Sequence, residues 1–125
     1  MPASDPTPTA APTAPAAVAH PREPDAARLA EATRVFALLS DATRLHVLWL
    51  LALEESDVGS LADRVAASRT AVSQHLAKLR LAGLVEARRE GRHMHYRLAD
   101  GHLRRLVTEA LSHADHRVTG EAPHD

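Results

Sequence analysis

The chain has 125 residues, a formal net charge of −1, 45% hydrophobic residues and 25% charged residues, a balance typical of a globular domain. It contains no cysteine, which excludes disulfides, thiolate metal sites and cysteine nucleophiles. It also lacks the run of about 18 apolar residues that a membrane-spanning helix needs, and its start does not resemble a signal peptide. We therefore expect a cytoplasmic protein that has no membrane partner.

Composition divides the chain into three parts. Residues 1–24 contain seven of the eight prolines, and a segment of this kind buries too little apolar surface to fold. Residues 118–125 contain a glycine and the last proline. We therefore predict a disordered Pro/Ala-rich tail over 1–24, one folded domain over 25–117 and a flexible C-terminal tail over 118–125.

Apolar residues at helical spacing predict four helices in the first part of the domain. The first covers residues 25–39, and the second covers 42–53 and is apolar nearly all round, so it should lie at the centre. A short helix is predicted over 60–66, and a further helix over 69–82. Gly83 should end that helix in a left-handed conformation.

A hairpin and one more helix are predicted to follow. Alternating residues predict strands over 84–89 and 93–98, joined by a turn at 90–92. Asp100 should cap a last helix that runs to about residue 115. A short helix, a tight turn and a longer helix form a helix-turn-helix, to which the hairpin adds a wing. The predicted fold is mainly α (α+β), a winged helix-turn-helix of order α-α-α-α-β-β-α.

Positive charge is concentrated in residues 64–97, which hold eight basic and two acidic residues. This segment carries a net charge of +6, so the remainder carries −7, and a local basic patch of this kind predicts a polyanionic partner. One face of the helix over 69–82 has short polar residues suited to base edges and cations suited to phosphates. The alternative is an ordinary amphipathic surface helix. The predicted DNA contacts are Arg69, Thr70, Ser73, Gln74, Lys78, Arg80 and Arg92.

The remaining histidines of this region receive other roles. His75 lies inward or to the side of the same helix, which favours a structural role. His93 and His95 lie in the second predicted strand, and we expect them to contact phosphates or to be solvated.

Three stretches together carry a family resemblance: residues 40–45 (SDATRL), 70–80 (TAVSQHLAKLR) and 82–85 (AGLV). Over residues 28–117 the chain resembles the ArsR/SmtB family of metal-responsive repressors and is most similar to its nickel/cobalt-sensing branch. The resemblance implies a homodimer that binds double-stranded operator DNA at an inverted repeat. It also implies that metal releases the operator and derepresses metal efflux genes.

The last predicted helix carries the candidate metal ligands Asp100, His102, His113 and His116. His113 and His116 are three residues apart and can reach one ion. His102 lies eleven residues before His113, about 16 Å along a straight helix, which metal–nitrogen bonds of about 2.1 Å cannot span. If two copies of the helix cross antiparallel, Asp100 and His102 of one chain meet His113 and His116 of the other, and a two-fold axis creates two equivalent sites.

The resemblance implies the same four residues, which fill every position of the family's last-helix motif of Asp-x-His, ten residues, His, two residues and then Glu or His. An apolar stripe on this helix is a candidate dimer seam. It comprises Leu103, Leu106, Val107, Ala110, Leu111 and Ala114.

One carboxylate and three imidazoles suit zinc, cobalt or nickel better than calcium or magnesium. The resemblance favours nickel or cobalt, and zinc stays open. His20, His124 and Asp115 are candidates for additional ligands. The alternative is that Asp100 is only a helix cap and that the histidines are ordinary surface residues.

We expect that the chain is not an enzyme. A metallohydrolase would need an open coordination position and a base in a pocket, and the sequence has no such motif. A basic helix-turn-helix also argues against metal storage. A regulator of the same fold without metal input remains open.

Overall fold

The computed structural model describes residues 22–120. The described residues fall into two units, residues 22–34 and residues 35–120. Helix α1 (Ala26–Leu39) begins after Asp25, whose carboxylate accepts the backbone N–H of Arg28 at 2.9 Å and pairs with its guanidinium at 2.6 Å. Asp25 thereby satisfies an N–H that has no partner inside the helix.

The elements of the second unit follow the order expected of a winged helix-turn-helix. Three helices precede the wing, with a very short strand β1 (Ser56–Asp57) between the first two. The helices and strands are α2 (Ala42–Leu53), α3 (Val58–Ala62), α4 (Arg69–Leu81), β2 (Val85–Glu90), β3 (His93–Leu98) and α5 (Gly101–Thr119).

The three strands form one antiparallel sheet of order β1-β3-β2. In the hairpin, Val85 lies opposite Leu98 and Glu90 lies opposite His93, so the connecting turn consists of Gly91 and Arg92. Gly91 has a positive φ of 64°, which glycine adopts without steric cost. The predicted fold class is confirmed, with β1 as an addition.

The core lies around α2, as the apolar pattern of that helix predicted. Leu48 and Leu51 of α2 are essentially inaccessible to solvent, as are Leu76 of α4 and Val107 of α5. Apolar residues in α2 pack against buried residues of α4, the sheet and α5. The burial of these side chains is the main favourable contribution to folding.

Short polar side chains begin each of the remaining helices by accepting a backbone N–H three residues later. Asp41 caps α2, and Ser68 caps α4. Asp57 caps α3, and Asp100 caps α5, each with an oxygen 2.8 Å from the accepted nitrogen. The predicted cap Asp100 is confirmed.

Two predicted helices have wrong boundaries, and one strand was not predicted. The third helix runs over Val58–Ala62 rather than 60–66, because Asp57 and not Ser60 caps it. The strand β1 was not predicted, since a two-residue strand has no period to detect. The last helix continues to Thr119 rather than residue 115, because Gly120, at φ 80°, is the residue that ends it.

The predicted tails over 1–24 and 118–125 stay predictions for residues 1–21 and 121–125, which lie outside the described residues, whereas Val118 and Thr119 belong to α5. Among residues 22–120, no single helix is long and apolar enough to cross a membrane, and only α1 and α2 taken together meet that criterion of length and composition.

A pair of leucines in α4 tests the assignment of the core. Leu76 is completely buried and Leu81 is 91% exposed. We expect Leu76→Ala to lower the free energy of unfolding by about 2–5 kcal/mol, because it removes packed methyl groups and leaves a cavity. Leu81→Ala should change it by no more than about 0.5 kcal/mol. Urea unfolding at a fixed protomer concentration measures both, and equal effects would contradict the predicted orientation of α4.

Candidate DNA interface and metal centre

Helix α4 separates a buried apolar face from an exposed polar face. Val72, Leu76 and Leu79 are fully buried and fix the rotation of the helix. The opposite face carries short polar side chains over its first two turns, a shape that fits the major groove. All seven predicted DNA contacts are exposed: Arg69, Thr70, Ser73, Gln74, Lys78, Arg80 and Arg92.

Ion pairs divide the basic residues of segment 64–97 into two groups. Arg88 pairs with Glu55 and Glu90, and Arg97 pairs with Glu86. Within the described part of the chain, no acidic side chain lies within 4.0 Å of the other six. These unpaired cations are Arg64, Arg69, Lys78, Arg80, Arg89 and Arg92.

The paired charges share the outer face of the wing. Glu86 lies opposite Arg97 in the hairpin, and Arg88 lies opposite His95. The hydrogen bond from the Arg88 guanidinium lowers the pKa of the Glu55 carboxyl and raises the pKa of Arg88. Because these charges compensate one another, the unpaired cations of α4 and the wing tip are better placed to attract a polyanion.

His95, but not the largely exposed His93, departs from the expectation that these histidines are phosphate contacts or solvated. His95 Nε2 lies 3.2 Å from Glu90 Oε1, and His93 Nδ1 lies 3.9 Å from Asp57 Oδ2. Residues two apart on a strand share a face, so both rings lie on the side of the sheet that carries these carboxylates. His93 is nevertheless largely exposed.

Asp57 connects the wing to the helix-turn-helix. One oxygen accepts the backbone N–H of Ser60 at the start of α3, and the other faces His93. The hydrogen bond from the Ser60 N–H is the largest cause of a lowered pKa of Asp57. The guanidinium of Arg69 in α4 also lies close to the first turn of α3. A Cβ atom added to Gly59 would lie only 2.7 Å from it.

His75 has the inward position that its structural assignment requires. It is half-buried, and its Nε2 lies 4.0 Å from Oδ1 of Asp41. Asp41 in turn caps α2, and the N–H of Arg44 is the main cause of the lowered pKa of this carboxyl. His75 therefore lies at the junction of α2 and α4.

The four candidate metal ligands lie near the two ends of α5. Asp100 is exposed and uses Oδ1 to cap the helix. His102 and His113 are exposed, and His116 is half-buried. Nδ1 of His102 lies 3.0 Å from Nη2 of Arg105.

Within one chain these ligands do not meet. Among residues 22–120, no group of three or more histidine, aspartate or glutamate side chains is arranged to hold a metal ion. The eleven residues from His102 to His113 correspond to about 16 Å of helix. The donor types suit zinc, cobalt or nickel. Because His102 and His113 are too far apart to share an ion, a complete site of these residues requires two chains.

The three candidates for additional ligands are not tested by the described residues. Asp115 is exposed in α5, and His20 and His124 lie outside the described residues. All three therefore stay predictions.

The apolar stripe of α5 divides into two parts, which corrects the prediction that the whole stripe is a dimer seam. Leu103 and Val107 are buried in the core of the protomer, whereas Ala110 and Ala114 are exposed. The exposed half adjoins an open apolar groove of about 690 Å³ between α2 and α5. Its lining residues are Ala42, Leu45, His46, Trp49, Thr108, Leu111 and Ser112.

Two arginines of α5 were missed in the sequence analysis. The guanidinium of Arg104 donates to the backbone carbonyl of Ala52 in the last turn of α2, where a cation interacts favourably with the helix dipole. Arg105 contacts His102, and the spacing of three residues on a helix is the signal that would have revealed this pair. The bond of Arg104 joins residues 52 positions apart, which no local pattern reports.

Comparison with known proteins places the chain in a family. Residues 41–87 match the sequence model of the bacterial regulatory protein, arsR family. The HTH-type transcriptional regulator KmtR of Mycobacterium tuberculosis is 49% identical over 90 residues, which cover 72% of this chain and 69% of that protein. The HTH-type transcriptional repressor SmtB of the same species is 41% identical over 75 residues, 58% of this chain and 56% of the other.

A solved structure agrees with the sequence relatives. It is the solution structure of a homodimeric winged helix-turn-helix DNA-binding domain from Mycobacterium bovis, described as a possible ArsR-family regulator. The TM-score is 0.69 at 36% identity, and the match covers 80% of this chain and 93% of that one. Because these relatives are transcriptional regulators, the expectation that the chain is not an enzyme is confirmed. The chain belongs to the ArsR/SmtB family of metal-responsive transcriptional repressors.

Proposed function

We propose that the chain forms a homodimer that represses transcription by binding operator DNA and that leaves the DNA when nickel or cobalt binds between the two α5 helices. The observation that carries this proposal is the distribution of ligands on α5. Asp100 and His102 lie at its start, and His113 and His116 lie near its end. Neither pair completes a site within the described part of one chain.

DNA binding is assigned to α4 and the wing tip. Thr70, Ser73 and Gln74 have hydroxyl and amide groups that can form hydrogen bonds with base edges. The unpaired cations Arg69, Lys78, Arg80 and Arg92 serve the phosphates. In a two-fold dimer, two copies of α4 would enter major grooves about 34 Å apart, which predicts an inverted repeat as operator.

Dimerisation is assigned to the exposed half of the α5 stripe and the groove between α2 and α5. The groove presents Leu45, Trp49 and Leu111, and a second copy would remove these apolar side chains from water. The solution structure of the M. bovis relative is homodimeric, which supports dimerisation of this chain. An antiparallel crossing of two α5 helices brings the opposite ends of the helices together.

The proposed metal centre combines Asp100 and His102 of one protomer with His113 and His116 of its partner. An oxygen and three nitrogens form a set that a borderline divalent ion accepts. Asp100 can cap α5 with Oδ1 and still offer Oδ2, which makes no hydrogen bond within residues 22–120. The similarity to the nickel/cobalt-sensing branch favours nickel or cobalt. Zinc is the alternative effector, because its usual four-coordinate site suits the same donors.

Coupling to DNA is assigned to the first turn of α5. This turn follows β3 of the wing after two residues and is tied to α2 by the bond from Arg104 to Ala52. Two α5 helices joined by shared ligands would hold the two wings and α4 helices at a fixed spacing. A spacing that fits the operator less well weakens binding, and a coupling of about 1–3 kcal/mol per ion is typical.

A regulator of the same fold without metal input is the second candidate. It is favoured by the roles that two proposed ligands already have, because Asp100 caps α5 and His102 contacts Arg105. Metal titration of the purified dimer separates the two candidates. Absence of nickel, cobalt and zinc binding at micromolar concentrations would support the regulator without metal input.

One test of the proposed function concerns DNA affinity. We expect Lys78→Ala and Arg92→Ala each to weaken binding and to reduce the slope of log affinity against log salt by about 1, because each removes one phosphate contact. Arg97→Ala is the control, since Arg97 is paired with Glu86. Fluorescence anisotropy with an operator selected from random duplexes measures the slopes. Equal slopes for all four proteins would contradict the assigned interface.

A second test concerns the metal response. Two equivalents of nickel or cobalt per dimer should weaken operator binding about 10²-fold or more. His113→Ala should abolish this response while metal-free binding to the operator persists. Glu109→Ala, which alters another exposed side chain of α5, should retain the response. Gel shifts with and without each metal test this, and a full response in His113→Ala would overturn the site.

Acid should also suppress the response. Protons compete with the metal for the imidazole nitrogens, so metal-induced release should weaken as the pH falls. Gel shifts at pH 5.5 and 7.5 with equal nickel concentrations measure this dependence. A response of the same size at both pH values would contradict imidazole ligation.

A further inference from the structure

Arg105 forms a hydrogen bond with a ring nitrogen of His102, one of the proposed metal ligands. Its Nη2 lies 3.0 Å from Nδ1 of His102, and both side chains are exposed. Its Nη1 would lie 3.5 Å from a Cβ on Gly101. The guanidinium is therefore folded back over the first turn of α5, beside the start of the proposed metal centre.

The chemistry of the two groups fixes the direction of this hydrogen bond. A guanidinium has five N–H donors and no acceptor, and it stays protonated in proteins. The nitrogen Nδ1 must therefore accept the bond with its lone pair. A neutral imidazole carries one proton, so in this arrangement the proton of His102 is on Nε2.

In this state neither ring nitrogen of His102 has a free lone pair for a metal ion. An ion that binds at Nδ1 must displace Arg105 from the lone pair. An ion that binds at Nε2 requires the proton to move to Nδ1, and Nδ1–H then faces a group that cannot accept it. Either mode of binding breaks the bond between Arg105 and His102.

We propose that Arg105 competes with the metal for His102 and thereby raises the metal concentration at which the repressor responds. This inference rests on the proposed function, in which His102 is a ligand. The positive charge of Arg105 also weakens metal binding, because a guanidinium beside a divalent cation is repelled. Arg105 is released from His102 when the site fills.

Two substitutions separate the hydrogen bond from the charge. Arg105→Met removes both and keeps a long apolar side chain, whereas Arg105→Lys keeps the charge without the planar guanidinium. Arg64→Met is the matched control, because it removes an unpaired positive charge from another part of the chain. Nickel affinity is measured by competition with a chelator at constant pH, and circular dichroism reports that each variant is folded.

We expect Arg105→Met to bind nickel about three- to ten-fold more tightly than the unaltered protein, the range expected from the loss of one competing hydrogen bond. Arg105→Lys should lie between the two, and Arg64→Met should match the unaltered protein. Unchanged or weaker nickel binding by Arg105→Met would overturn the proposal.

The ring of His102 gives a second readout that needs no metal. Nitrogen-15 NMR of the metal-free protein at pH 8 should show the tautomer with its proton on Nε2, and Arg105→Met should show a mixture of tautomers. The same spectrum for both proteins would overturn the inferred bond. If the unaltered protein binds no nickel, cobalt or zinc, the proposed function fails, and the tautomers still report separately whether Arg105 holds His102.

Discussion

The fixed rise per residue of an α-helix is the constraint on which the proposed function of this repressor depends. Each residue of α5 adds about 1.5 Å along the axis, so ligands at positions 102 and 113 cannot share an ion while the helix stays intact. The cap at Asp100 and the left-handed Gly120 define a helix that is continuous over Gly101–Thr119. Neither pair of proposed ligands is completed within the described part of one chain, which is why the proposed site includes the partner subunit.

The fold places the proposed DNA contacts and the proposed metal ligands on different elements and connects these elements through a common core. Helix α2 packs against buried residues of both α4 and α5, and Arg104 adds a polar bond between α5 and α2. The unpaired cations lie on α4, at the wing and near α3. The proposed ligands lie on α5, so a change in the position of α5 can reach the DNA-binding surface through packed side chains.

Local sequence patterns predicted most of the fold because caps and apolar periods are local signals. Asp41, Ser68 and Asp100 begin helices where expected, and Leu48 and Leu76 are buried as the periodicity required. The strand β1 and the cap Asp57 were not predicted. A strand of two residues shows no period, and the position of Asp57 depends on the pairing of β1 with β3. The contacts of His93 and His95 also depend on strand pairing. The candidate ligands were identified by spacing, whereas their neighbours Arg104 and Arg105 were not.

Subunit complementation would show whether each metal site takes its ligands from both protomers. One chain would carry Asp100→Ala and His102→Ala, and the other His113→Ala and His116→Ala, with different affinity tags to isolate the heterodimer. If the ligands come from opposite ends of two antiparallel helices, each altered homodimer has no complete site and the heterodimer has one. We expect one tightly bound nickel ion per heterodimer and none per altered homodimer. A heterodimer that binds no nickel, although the unaltered dimer binds two ions, would contradict this expectation.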